Sequence, residues 1–116
     1  MDYSVKDFYV PTVTYFESGN FLTGSRTGMN YKMVPYQEKG KDESGKEVKI
    51  GDPKIVVKIW YGKWNLDHSE LVAQSDYPMV QDSMKQIEDW LYQQYDIYMQ
   101  TPLAAQYIKY MKDKER

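Results

Sequence analysis

Lys54-Ile55-Val56-Val57-Lys58-Ile59-Trp60-Tyr61 is the stretch that decides the fold. Ile55, Val57, Ile59 and Tyr61 alternate onto one face, while Val56 and Trp60 share the other with Lys54 and Lys58. Successive strand side chains point to opposite faces, and β-branched and aromatic residues fit a pleated surface, so the spacing predicts a β-strand. Its apolar density places it centrally in a sheet. The period changes after Pro78, where Val80, Met84, Ile87, Leu91 and Tyr95 recur at helical spacing with Trp90 beside them. That pattern predicts an amphipathic helix lying on the sheet. Thr101-Pro102 then offers an N-cap oxygen followed by a proline where no amide partner is needed, which opens a second helix. It runs to about Lys112, with Leu103, Tyr107, Ile108 and Met111 on its apolar side.

Upstream, Val10 to Phe16 has a β-type composition interrupted by Pro11 and predicts a short edge strand. Gly19, Gly24 and Gly28 punctuate the next stretch, giving a short strand around Phe21 and Leu22 and a turn at Gly24 to Gly28. Met29 to Glu38 alternates Met29, Tyr31 and Met33 against Asn30, Lys32 and Val34, a second strand with one buried face. Residues 39–49 hold four Lys against three acids, with Gly40, Ser44 and Gly45 as turn formers, and are expected to make a mobile hairpin tip. Gly62 to Ser69 is expected to be a loop carrying Trp64 and His68, and Glu70 to Asp76 a further strand with Leu71 and Ala73 inward. Strands followed by helices define an α+β class: an antiparallel sheet of about four or five strands, then two C-terminal helices, the first packed on one sheet face. A chain of 116 residues fits one domain, so 1–116 is expected to fold as a unit with its last helix near 102–113.

Composition narrows the function. The chain has 12 Tyr and 3 Trp but one His and no Cys, so it is rich in contact surface and poor in the groups of nucleophilic, thiolate or zinc chemistry. A non-enzymatic role is expected. No apolar run approaches the ~20 residues that span a bilayer, and Met1 to Val10 lacks the basic and apolar regions of a signal peptide, so a cytoplasmic location is expected. The net charge of −2 divides unevenly: Lys109, Lys112, Lys114 and Arg116 against Asp113 and Glu115 make the tail +2, leaving −4 on Met1 to Ile108. An acidic body disfavours wrapping of duplex DNA, which counterion release drives through a basic excess.

Several motifs carry less chemistry than they first offer. Gly19-Asn20-Phe21-Leu22-Thr23-Gly24-Ser25-Arg26 has the glycine spacing of a phosphate loop but lacks its lysine and precedes a strand instead of a helix, so no nucleotide cofactor is implied. His68, in Asp67-His68-Ser69-Glu70, is a single imidazole where a metal site would need several ligands. Glu88 and Asp89 are adjacent on a helix and diverge instead of forming an acid–base pair. No cofactor or metal is expected. Asp82, Gln86, Asp89, Gln93 and Asp96 do share one polar ridge of the first helix, which serves as its wet side or meets a basic partner. Trp60-Tyr61-Gly62-Lys63-Trp64 cannot send all its rings into one core, so Trp60 and Trp64 are candidate apolar anchors and Asp82, Asp89 and Asp96 the candidate charged contacts.

Gly19-Asn20, Gly24-Ser25, Asn30-Tyr31-Lys32, Trp60-Tyr61-Gly62, Tyr77-Pro78 and Asp89-Trp90-Leu91 together resemble small uncharacterised α+β proteins of bacterial mobile elements and prophages. The resemblance spans about residues 19 to 95 and departs at Val80-Gln81-Asp82, where a Thr or Ser cap followed by two acids would stand. It implies a fold and a setting, with no catalytic residues. The resulting expectation is a protein-interaction module of a phage or mobile element that binds and modulates or inhibits a host protein such as a defence nuclease, as anti-CRISPR proteins do. The target would carry a basic or apolar surface. Two alternatives use the same residues differently: a single-stranded nucleic-acid binder working through Tyr31, Tyr36, Trp60 and the sheet lysines, and a small-molecule or nucleotide pocket lined by Tyr.

Overall fold

The computed structural model describes residues 8–62 and 69–114. A short helix, α1 (Val13–Glu17), precedes β1 (Leu22–Arg26) and β2 (Met29–Tyr36). A small ribbon of β3 (Lys39–Lys41) and β4 (Glu47–Lys49) leads to β5 (Lys54–Tyr61) and β6 (Ala73–Pro78), then α2 (Asp82–Met99) and α3 (Pro102–Lys114). The main sheet is antiparallel throughout in the order β1-β2-β5-β6, with β3 and β4 paired apart from it. The class is α+β, as the sequence pattern requires.

β5 is an inner strand because its apolar residues can be covered on both sides. Ile55, Val57 and Ile59 are fully buried and pack with Met29, Tyr31 and Met33 of β2. Met84, Ile87 and Leu91 of α2 close the same core from one side, and burial of each such side chain is worth roughly 1.5–3 kcal/mol. Pro35 lies in β2 yet causes no break. β1 reaches along β2 only as far as Met33, so the last three residues of β2 pair only with β5 and one edge lacks a neighbour that would need the missing N–H.

Three local expectations are corrected. Val10 to Phe16 is not an edge strand: α1 takes Val13–Glu17, starting after extended Thr12. The Val13 amide donates to Gln81 Oε1 at 3.0 Å and Phe16 is buried in the core, so tertiary contacts overrule β-propensity. The turn is tighter than Gly24 to Gly28. Gly24 pairs with Tyr31 inside β1, where any Cβ would run into the Tyr31 ring. The turn itself is Thr27-Gly28, both at positive φ (53° and 91°), the two-residue geometry that matches strand twist in a hairpin. Leu71 is exposed and precedes β6, which begins at Ala73. The segment 39–49 does form a hairpin, its tip closed by Asp42, whose Oδ1 accepts from the Ser44 and Lys46 amides at 2.9 Å each.

Gly28 is the most constrained glycine. Its φ excludes most side chains, and an added Cβ would lie 2.5 Å from the Tyr98 hydroxyl and 3.1 Å from the Tyr107 ring. Gly45 has a similar φ but open space around it. Gly45→Ala is therefore expected to cost about 1 kcal/mol from backbone strain alone, and Gly28→Ala at least twice that, as read by urea denaturation. Equal losses would show that the tyrosines do not press on the turn.

Candidate functional site

The C-terminal end of α2 is fastened to the β1–β2 turn by two tyrosines one turn apart in the helix. Tyr98, fully buried, donates its hydroxyl to the Thr27 carbonyl at 2.7 Å, and the Tyr95 hydroxyl and Thr27 Oγ1 share a hydrogen bond of 2.8 Å. The Tyr98 ring stacks at a tilt on Tyr61, with centroids 4.5 Å apart, and Arg26 lies 5.2 Å over the Tyr95 ring. Phe8 completes the cluster, meeting Tyr31, Tyr92 and Tyr95 edge-on at 5.2–5.6 Å. Edge-to-face geometry of this kind adds to burial by aligning ring edges with ring faces. Gly62 joins the arrangement through its amide, which donates to the Gly28 carbonyl at 2.9 Å, and its carbonyl, which accepts from Asn30 Nδ2 at 2.7 Å.

From that fixed end the chain turns into α3. Thr101 Oγ1 donates to the Tyr98 carbonyl at 2.6 Å and accepts from the Ala104 amide at 3.3 Å, so the cap read from Thr101-Pro102 is present. The apolar side of α3 is only partly used. Ala104 is buried and Tyr107 rests on the Gly28 turn, but Leu103 is 50%, Tyr110 59% and Met111 37% exposed. These three, with Gln106 and Tyr107, line a groove of about 610 Å³ that Tyr98 and Gly62 close on the body side. A volume of this size falls within the range of ligand and side-chain pockets. Its lining is mainly aromatic and aliphatic, with the Gln106 amide and two tyrosine hydroxyls at α3 as polar groups.

The residues singled out from sequence do not converge there. Trp60 is 6% exposed and points to the sheet face away from α2, so its ring is not offered to solvent. Trp64, like His68, lies outside the described residues. The Asp82, Gln86, Asp89, Gln93, Asp96 ridge is exposed along its length. Within it Asp89 is paired with Lys85 at 3.1 Å, whereas Asp82 and Asp96 have no ion pair among the described residues. None of the ridge residues lines the groove, and Asp82 and Asp96 stand about 20 Å apart along the helix. The sheet separates the ridge from Trp60. Among the described residues no three His, Asp or Glu side chains gather as a metal site would require, and no helix is long and apolar enough to cross a membrane.

Tyr98, Tyr110 and Gly62 do not stand out as site residues in the sequence. Tyr98 has a usable signal: it falls seven residues after Leu91 and so continues the apolar stripe of α2. The geometry defines an α+β protein with a preformed apolar groove between its last helix and the end of its central strand. In comparisons with known proteins the chain matches no family model, no curated protein and no solved structure. The likeness to mobile-element proteins rests on the quoted residues alone.

Burial raises the Tyr98 pKa above its ordinary value of 10.0, and the neighbouring Tyr107, Tyr61 and Tyr95 add to the effect. Tyr31, Tyr61 and Tyr77 are raised as well, in each case first by burial. The folded chain therefore holds these protons more tightly than the unfolded chain. Stability is fully present below pH about 10 and falls as pH rises through the folded values, where the unfolded chain has already released its protons. Tyr98→Phe should cost about 1–2 kcal/mol at neutral pH by leaving the Thr27 carbonyl without its donor, and should also lose less stability between pH 9 and 11 than the parent. Identical alkaline profiles in denaturant titrations would exclude Tyr98 from the pH response.

Proposed function

We propose that this chain is a non-enzymatic protein-interaction module and that it binds its partner through the α3 groove. The observation that carries this reading is the exposure of Leu103, Tyr110 and Met111 around a groove whose body-side wall, Tyr98, is held by a part-buried hydrogen bond. Contiguous exposed apolar surface on a folded chain marks interaction sites, and aromatic anchors at a fixed pocket are what concentrates binding energy. The wall is already ordered, so little entropy is lost in forming the site.

Charge supports a partner with a basic rim. Asp82, Asp89 and Asp96 form an exposed negative ridge on α2, an arrangement that speeds and orients association with Lys or Arg on a target. In the mobile-element setting that the resemblance implies, the partner is a cytoplasmic host protein, and inhibition of a defence nuclease, an anti-CRISPR-like activity, is one concrete form. The groove replaces Trp60 as the apolar anchor of this reading.

The test is affinity capture from host lysate with the tagged parent, Leu103→Asp and Tyr110→Ala side by side, followed by titration with whichever purified protein is enriched. Loss of one hot-spot side chain costs about 2 kcal/mol, so each variant should bind about 30-fold more weakly while unfolding like the parent. Asp96→Lys should weaken binding further at low salt than at high salt. Undiminished binding by Leu103→Asp and Tyr110→Ala would place the contact elsewhere.

A further inference from the structure

The sheet face turned away from α2 carries an arrangement that protein binding at α3 does not explain. Lys32 of β2 and Lys58 of β5 are direct partners in the antiparallel register. Like charges placed opposite each other on a sheet repel and cost stability. Among the described residues no carboxylate pairs with either ammonium; Asp76, on the neighbouring row, is held by Lys54 at 2.9 Å. The register extends the row outward to Thr23 on β1 and Gln74 on β6. Thr23, Lys32, Lys58 and Gln74 thus form one line across all four strands, about 14 Å long from interstrand spacing. Every member can donate a hydrogen bond, and the two in the middle are cations.

Two exposed aromatics lie beyond this row, both toward the Lys54 end of the sheet, each with a lysine over its ring. Phe21, 57% exposed, lies 5.1 Å from Lys32 Nζ, and Tyr36, 50% exposed, lies 5.4 Å from Lys54 Nζ. The acids of α2 point away on the far side of the molecule, with the sheet and a helix about 10 Å thick between them and the lysines. At physiological salt that separation exceeds the screening length of about 8 Å. Among the described residues the row is therefore cationic, with the nearby Asp76 already paired with Lys54, although the whole chain is acidic.

We infer that this sheet face binds single-stranded nucleic acid, with the phosphate backbone crossing Lys32 and Lys58 and bases stacking on Phe21 and Tyr36. Phosphate oxygens relieve the repulsion between the two lysines and accept from Thr23 and Gln74. The ring platforms favour a nucleic acid over an acidic peptide, because stacking on an exposed aromatic uses a base and offers nothing to a carboxylate. A duplex, with its bases already stacked internally, cannot use them. The residues differ from those expected from sequence: Tyr31 faces the core and Trp60 is buried, while Phe21, Lys32 and Thr23 enter. The site stands on the opposite side of the sheet from α2 and does not depend on the α3 reading.

The test is fluorescence anisotropy with a labelled single strand of about 12 nucleotides in about 50 and about 200 mM salt, using the full chain. Lys32→Gln/Lys58→Gln should weaken binding at least tenfold at the lower salt. It should also reduce the slope of log K against log salt by about 1.4, two phosphates at about 0.7 each. Removing the repulsion should leave the melting temperature unchanged or higher. Phe21→Ala, a solvent-facing change, should weaken binding several-fold and keep the salt slope. No binding of the single strand by the parent at the lower salt would overturn the proposal. So would equal binding by the lysine variant, or tighter binding of a polyglutamate peptide or of the matching duplex.

Discussion

The hydrogen bond from the Tyr98 hydroxyl to the Thr27 carbonyl is the contact on which the arrangement of the C-terminal half depends. It joins the end of a long helix to a two-residue hairpin turn, elements 71 residues apart in the chain. Such a contact is entropically demanding to form and becomes favourable only when both ends are already rigid. Thr27-Gly28 supplies one rigid end through its positive-φ turn, and the packed stripe of Met84, Ile87 and Leu91 supplies the other. With the helix end fixed, Thr101 can start α3 at a defined place, and Tyr107 comes to rest on Gly28. The groove is a consequence of that sequence of constraints.

The same packing divides the molecule electrostatically. Alternation along β5 sends Ile55, Val57 and Ile59 toward α2 and leaves Lys54 and Lys58 on the other face. The helix must turn a wet side outward, and that side is acidic. A chain with a net charge of only −2 therefore presents an acidic helix face and a cationic sheet face, with a hydrophobic layer between them. An apolar groove at one end and a lysine row on one face are separate surfaces. The interaction reading and the nucleic-acid reading are thus addressed by different residues and can be separated by substitution.

Much of the fold is legible because burial writes a period into the sequence. β5, β2, α2 and the Thr101 cap of α3 follow from alternation, helical spacing and cap chemistry. The departures occur where distant contacts decide. Val13 to Glu17 has the residues of a strand, but the Gln81 side chain and a buried place for Phe16 make a helical turn the better solution. Gly24 carries the mark of a turn, yet its lack of a side chain serves the Tyr31 ring across the strand pair. The site is less legible, since exposure is a property of the assembled chain. Trp60 looks like an anchor in sequence and Tyr110 does not, and only the packing tells that the first is buried and the second open. The lysine row needs the register, which no local pattern reveals.

The central claim is that α3 is held on the body as a preformed wall and is not a helix attached only by its first residue. Native-state hydrogen exchange of the parent, resolved residue by residue, tests it directly. If the Tyr98 and Gly28 contacts hold α3, amides from Ile108 to Met111 should exchange through openings comparable in free energy to those of the C-terminal turns of α2. Exchange of those amides at the rate of an unstructured peptide, with α2 still protected, would contradict a preformed groove.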